Sequence, residues 1–185
     1  MPIMPLPNVT TADQLLVLHD PGWRHELWRG ALRRMRFADA EHGYVSARIG
    51  AAVYQHVDEH RLGCTFATGT GFAIARDPDT VLAPDVAFLQ RDRLPPKGHH
   101  GFFPGPPDLA VEVISPDELS SHVASKVAAW LSHGSQEVWV VDLQRCTLAV
   151  HRDGAATRIL QQRDKLRDSF VLPGFTLELA ELFDD

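Results

Sequence analysis

Pro107-Asp108-Leu109-Ala110-Val111-Glu112-Val113-Ile114-Ser115-Pro116 decides how this chain folds. Leu109, Val111 and Val113 fall on one face of an extended segment, and Ala110, Glu112 and Ile114 fall on the other. That period of two marks a buried strand with one acid in its middle. A carboxylate set among aliphatic side chains is costly unless it is paired, protonated or bound to a metal. The partner of Glu112 therefore decides the chemistry.

Working outward, Asp85 follows Pro84 and opens a second strand, Asp85-Val86-Ala87-Phe88-Leu89. Asp85 shares a face with Ala87 and Leu89, while Val86 and Phe88 point the other way. If the two strands are neighbours, Asp85 and Glu112 converge. Two close carboxylates repel, so one is protonated or a cation lies between them. Hard oxygen ligands with open water positions suit Mg²⁺ or Mn²⁺ and not zinc.

The pattern predicts a helix over about 118–132, with Val123, Val127, Trp130 and Leu131 inward and Gly134 just past its end. Lys126 stands between Val123 and Trp130 on that helix, so it borders the buried face and can extend over the strand ends. Beside a cation-activated water, a lysine orients the attack or stabilises charge on a phosphoryl oxygen. The alternative is that Lys126 lies along the helix edge and pairs with Glu118.

The rest of the chain frames this centre. A short helix is expected over 11–19, capped by Thr10 or Thr11. Residues 25–36 read as a hairpin turned near Gly30, with Glu26 on its first strand. Residues 40–61 carry Tyr44, Val45, Ile49, Ala52, Val53 and Val57 at helical spacing, with His42 near the start and Gly63 as the stop. Thr68-Gly69-Thr70-Gly71 reads as a turn into a strand at Phe72-Ala73-Ile74, and Gly101 to Pro107 as a loop. Val138-Trp139-Val140-Val141 is an apolar run covered on both faces. A terminal hairpin spans 148–160, with Asp153-Gly154 as its turn. This order makes the fold α/β or α+β, a mixed central sheet flanked by helices, with hairpin additions at both ends.

Bulk properties narrow the function. The 185 residues suit one domain covering the whole chain, 1–185. A net charge of −6 argues against a broad basic surface that coats nucleic acid, although not against a local groove. Arg33, Arg34 and Arg36, and separately Arg91, Arg93 and Lys97, read as solvated patches. No apolar window has the length of a membrane span, and the N-terminus has no signal-peptide pattern. Cys64 and Cys146 form no metal or disulfide pattern, so a cytoplasmic protein is expected. Phosphate-loop, nucleophile-elbow and dinucleotide motifs are absent, which argues against a nucleotide cofactor. His56 and His60 stand four apart on one helix face, a weak metal spacing, and His99-His100 in its loop is weaker.

Taken together, His25-Glu26-Leu27-Trp28-Arg29-Gly30, Glu41-His42-Gly43, Ala83-Pro84-Asp85-Val86-Ala87-Phe88, the 107–116 strand, Lys126, the 134–142 segment and Leu172-Pro173-Gly174-Phe175 resemble the Uma2-type restriction endonucleases, a group within the PD-(D/E)xK nuclease superfamily. The resemblance spans nearly the whole chain. It implies a restriction-endonuclease-like fold and a Mg²⁺-dependent (or Mn²⁺-dependent) endonuclease that hydrolyses DNA. Asp85 and Glu112 would be the metal ligands, Lys126 a catalytic residue, and Glu26 an early acid near the metal. The commonest superfamily pattern has its lysine two residues after the glutamate, where this chain has Ile114. Lys126 matches the family's alternative position on the next helix. The rival reading is an inactive nuclease-fold protein that binds DNA or another protein. Duplex cleavage needs two sites or one that reorients, and a homodimer supplies two; Trp28 and Trp139 are candidate anchors, with Trp139 reading more readily as core.

Overall fold

In this computed structural model, which describes residues 7–115 and 120–183, side-chain caps and turn residues set the element ends. Thr11 caps α1 (Ala12–Leu16) in a reciprocal box with Gln14. The hairpin of β1 (Arg24–Trp28) and β2 (Ala31–Met35) turns at Arg29 and Gly30, both at positive φ. Asp39 caps α2 (Ala40–Glu59) by accepting from the His42 N–H. Then come β3 (Gly63–Ala67), β4 (Phe72–Ala75), β5 (Thr80–Leu82), β6 (Val86–Gln90), β7 (Phe103–Pro104) and β8 (Leu109–Ile114). The chain continues through α3 (Ser120–Ser132), β9 (Glu137–Asp142), β10 (Thr147–His151) and β11 (Arg158–Gln161). It closes with β12 (Lys165–Leu166), β13 (Leu177–Glu178) and α4 (Ala180–Phe183). Pro116 of the quoted strand and Glu118, the alternative partner of Lys126, lie outside the described residues.

The main sheet has six strands in the order β11-β10-β9-β8-β6-β3. It is mixed: β8 and β9 run parallel, joined through α3, and β6 runs antiparallel to β8. Both faces are covered, as the apolar runs require. On one face Val86, Phe88, Leu109, Val111 and Val113 pack under Val45, Ile49, Val53 and Val57 of α2. On the other, Ala87, Leu89, Ala110, Val138 and Val140 pack against Val123, Val127 and Trp130 of α3. Trp139 is fully buried on the α2 side and stacks on Phe175, so it is core and anchors no partner.

The hairpins are built into the fold more deeply than their sequence suggests. β1 and β2 belong to a second sheet, β2-β1-β5-β4-β7, joined through the Leu27–Val81 pair. Phe72, Leu82 and Phe103 of that sheet share the α3-side core. The C-terminal hairpin extends the main sheet through β10. Within the expected Gly101 to Pro107 loop, Phe103 and Pro104 pair in parallel with β4. Gly63 does not stop α2: the helix ends at Glu59 with His60 as its cap, Arg61 takes φ 53°, and Gly63 already pairs with Gln90.

Two acids lock the sheet's ends. Asp108 is fully buried and accepts from the Gln90 N–H (2.8 Å), the Arg93 guanidinium (2.8 Å) and the Gln136 amide (2.6 Å). Arg93 is thus part of the framework and not of a solvated patch. Glu137, also fully buried, accepts from Trp139, Arg152 and the Phe170 N–H. Among the described residues no helix is long and apolar enough to cross a membrane.

Gly63 provides a test of the β3–β6 pairing. A Cβ there would lie 1.9 Å from the Leu89 carbonyl oxygen. Gly63→Ala is expected to push β3 off its partner and to cost about 1–3 kcal/mol, read as a lower urea midpoint. An unchanged midpoint would show that the edge strand shifts freely.

Candidate active site

Strand pairing delivers the two acids to one place. Continuing the β6–β8 register from Val86↔Val111 sets Asp85 opposite Glu112. The Asp85 N–H donates to the Val111 carbonyl at 2.9 Å, and Asp85 Oδ2 accepts from the Val113 N–H at 2.9 Å. Asp85 is therefore held by backbone groups on both sides of Glu112.

The helix that leaves β8 returns two side chains to Glu112. Lys126 Nζ donates to Glu112 Oε2 at 2.7 Å, and Trp130 Nε1 donates to Oε1 at 2.8 Å. Lys126 and Trp130 stand one turn apart on the inward side of α3, which is why both reach one carboxylate. Lys126 Nζ also lies 3.1 Å from Glu26 Oε1, and that oxygen accepts from the Ala83 N–H at 3.0 Å. Glu26 comes from β1, so the second sheet closes the far side of the lysine. Asp85, Glu112, Glu26 and Lys126 are all buried; Glu112, Glu26 and Lys126 meet, and Asp85 stands across the strand pair from Glu112. The alternative surface role for Lys126 does not hold.

α2 and β1 add a second layer around Asp85. His42 Nε2 lies 3.4 Å from Asp85 Oδ2, and its Nδ1 lies 3.3 Å from Ser46 Oγ. Arg24 donates to Thr68 Oγ1 at 3.2 Å, and Thr68 donates to Asp85 Oδ1 at 3.4 Å. Asp85 and His42 stand at the end of an open groove of about 470 Å³ between α2 and β3, lined by Gly43, Ala47, Gly50 and Phe66. The groove reaches Asp85; Glu112 and Lys126 are not among its lining residues.

Burial and neighbours divide the protonation behaviour. Burial pushes Glu112 up to about 7, against the pull of Lys126 and with further push from Asp85 and Glu26. Burial alone would discharge Lys126, but Glu112 and Glu26 overcome it and hold the ammonium charged well above its usual range. Burial would likewise raise Asp85, but His42 and the Val113 N–H outweigh it and hold the carboxyl below its usual value. The Asp85 hydrogen bond raises His42 despite the opposing effect of burial.

The other candidates lie apart from this centre. The His56 and His60 rings stack on each other, and His56 bonds to the Pro173 carbonyl. His99 bonds to the Phe102 carbonyl. Arg33 sits over Trp28, and Arg34 pairs with Asp20. Among the described residues no group of three or more His, Cys, Asp or Glu side chains is set to hold a metal ion. Sequence reasoning did not foresee the Trp130 bond, the Val113 N–H, or the approach of Arg24 and Thr68. Only Trp130 left a usable signal, an indole N–H on a buried face that must find an acceptor.

A family model described as Uma2, putative restriction endonuclease, matches residues 12–180. The crystal structure of a putative nuclease belonging to DUF820 from Anabaena variabilis superposes with a TM-score of 0.79 at 20% identity, over 94% of this chain and 97% of that one. At that identity the likeness shows the fold. No curated protein matches the chain.

The raised His42 gives a pH signature. Because its folded value lies above its ordinary 6.5, the stability it adds is complete below about pH 6.5 and is lost as pH rises through the folded value. His42→Gln should therefore lower the melting temperature more at pH about 5.5 than at pH about 9. A difference between wild type and variant that is flat over this window would separate His42 from Asp85.

Proposed function

This chain belongs to the Uma2 family, and we propose that it is a metal-dependent endonuclease that hydrolyses phosphodiester bonds in DNA. One observation carries the reading: the lysine missing at Ile114 is supplied from α3, with its ammonium 2.7 Å from Glu112 and 3.1 Å from Glu26. Asp85 stands opposite on the neighbouring strand.

The donor set fits a hard divalent cation. Among the described residues, Glu112 Oε1 and Oε2 each accept one hydrogen bond and keep a lone pair, and Asp85 Oδ1 meets the Thr68 hydroxyl at a long 3.4 Å and the Arg24 guanidinium at 4.0 Å. Asp85, Glu112 and the Val113 carbonyl would hold Mg²⁺ or Mn²⁺, with water and substrate completing the shell. Such a cation supplies a more acidic bound water and neutralises charge on a phosphate. Lys126 keeps its positive charge at Nζ, where it orients the attacking water and stabilises developing negative charge. Glu26 holds Lys126 from the far side. His42 and the Val113 N–H fix Asp85 and keep it ionised. Arg24, at the mouth of the groove, offers a cation to the backbone of an incoming strand. A homodimer would provide one such centre for each strand of a duplex.

Purified protein is expected to nick plasmid DNA with Mg²⁺ or Mn²⁺ and to lose that activity in EDTA. Glu112→Gln and Lys126→Met should each reduce the rate by about 10²–10³-fold while the fold, followed by circular dichroism, persists. Wild-type cleavage by Glu112→Gln would overturn the assignment. Absence of both cation binding and cleavage in the wild type would favour the rival, a non-catalytic DNA-binding or protein-interaction module.

A further inference from the structure

Glu112 has a second hydrogen-bond partner besides Lys126, and we propose that Trp130 is a positioning residue whose indole N–H fixes the Glu112 carboxylate in the orientation that meets the cation. The inference rests on the nuclease reading above and goes beyond it by assigning a task to a residue that otherwise reads as core.

Three observations support it. Trp130 is fully buried, so its N–H must be spent on an acceptor, and it is spent on Glu112 Oε1 at 2.8 Å. The ring has no freedom to look elsewhere: Phe72 meets it edge-on at 6.2 Å and 82°, and it is packed among Val127, Val138 and Leu89. Lys126 grips the other oxygen at 2.7 Å. The terminal torsion of a glutamate is otherwise broad. With one donor on each oxygen, rotation of the carboxylate is arrested.

The choice of tryptophan has a chemical consequence. An indole N–H donates, carries no charge and does not titrate. It orients Glu112 without competing as a cation and without offering a proton to the reaction. Lys126 can do neither of these things neutrally. Each oxygen retains a second lone pair, so the clamp aims the ligand without using it up.

The chain contains its own control. Trp139 also donates its indole N–H to a buried acid, Glu137 Oε1. Glu137 pairs with Leu109 at the opposite end of β8, and Trp139 pairs with Val111 but turns its ring to the α2 side of the sheet, away from the face of Glu112. Trp139 should be indifferent to a cation at Glu112.

The test compares wild type with Trp130→Phe, using Mn²⁺ calorimetry and cleavage kinetics on a DNA substrate. Removing an outer hydrogen bond from a ligating side chain typically costs 10–100-fold, so Mn²⁺ affinity and kcat should each fall by about that factor, with KM for DNA within about twofold. A second measurement needs no variant to fold. In the intact wild type with ¹⁵N-labelled indoles, Mg²⁺ should shift the Trp130 N–H resonance with the same Kd that Mg²⁺ calorimetry gives, while the Trp139 resonance stays still. A Trp130 resonance unmoved at saturating Mg²⁺, or wild-type Mn²⁺ affinity and kcat in Trp130→Phe, would overturn the inference alone. A wild type that neither binds Mn²⁺ nor cleaves would overturn the nuclease reading and this inference with it.

Discussion

The contact between Lys126 and Glu112 governs the centre of this molecule. Two opposite charges have been taken out of water in the middle of a sheet, at 2.7 Å, each nearly sealed from solvent. Such a pair gains little net stability over apolar packing, because desolvation consumes most of the attraction. Losing one partner is far worse, since the other is left buried and uncompensated at a cost of about 3–5 kcal/mol. Glu112 has a partial escape that Lys126 lacks. With its carboxyl pushed to about 7, it can take up a proton near neutrality, whereas the doubly paired ammonium stays charged. The fold bears this cost where a fixed positive charge stands between two acids, the charge that the proposed reaction would use.

The topology follows from the need to assemble that contact. A parallel β8–β9 pair requires a crossover, and the crossover is α3, which carries Lys126 and Trp130 back over the strand they came from. Antiparallel pairing of β6 with β8 brings Asp85 opposite Glu112. The second sheet holds Glu26 against the lysine through β1, and α2 crosses the opposite face to hold His42 against Asp85. Five separate stretches of chain are linked by contacts at or near hydrogen-bonding distance, which explains why the local sequence around any one of them is uninformative by itself.

How much of this could be read in advance depended on the range of the interaction. The 109–114 alternation, the 86–89 alternation and the inward stripe of α3 are local patterns; they put Glu112 and Lys126 where the α3 side of the sheet brings them together, whereas Asp85, read on the same face as Ala87 and Leu89, lies just before β6 against His42 of α2. The meeting of Glu26 with Lys126 was hidden because it depends on β5, three residues long, which joins β1 to the rest of its sheet through one residue pair. β3 was hidden for another reason: as an edge strand it is only half buried and shows no apolar alternation. The Gly63 error has the same root. A glycine after a helix reads as a cap, but this one is required by the close approach of the Leu89 carbonyl across the strand pair. His42 could be placed at the start of its helix, but its partner lay 43 positions away on another element.

The sheet's buried acids also explain why Glu112 differs from its neighbours. Asp108 and Glu137 are completely enclosed, and each accepts from three donors, one of them an arginine at 2.8–2.9 Å. Their lone pairs are largely committed and their surroundings are rigid, so they serve as fasteners for strand ends and for the segment that carries Phe170. Glu112 accepts from two donors among the described residues and faces a second acid, Asp85, across the strand pair. An acid used only to hold a fold together gains from saturation with donors and from distance to other acids. Glu112 lacks both advantages. On the proposed nuclease reading, the remaining lone pairs and the opposed carboxylate would serve a cation, since two facing acids that repel each other in its absence would both be stabilised by it.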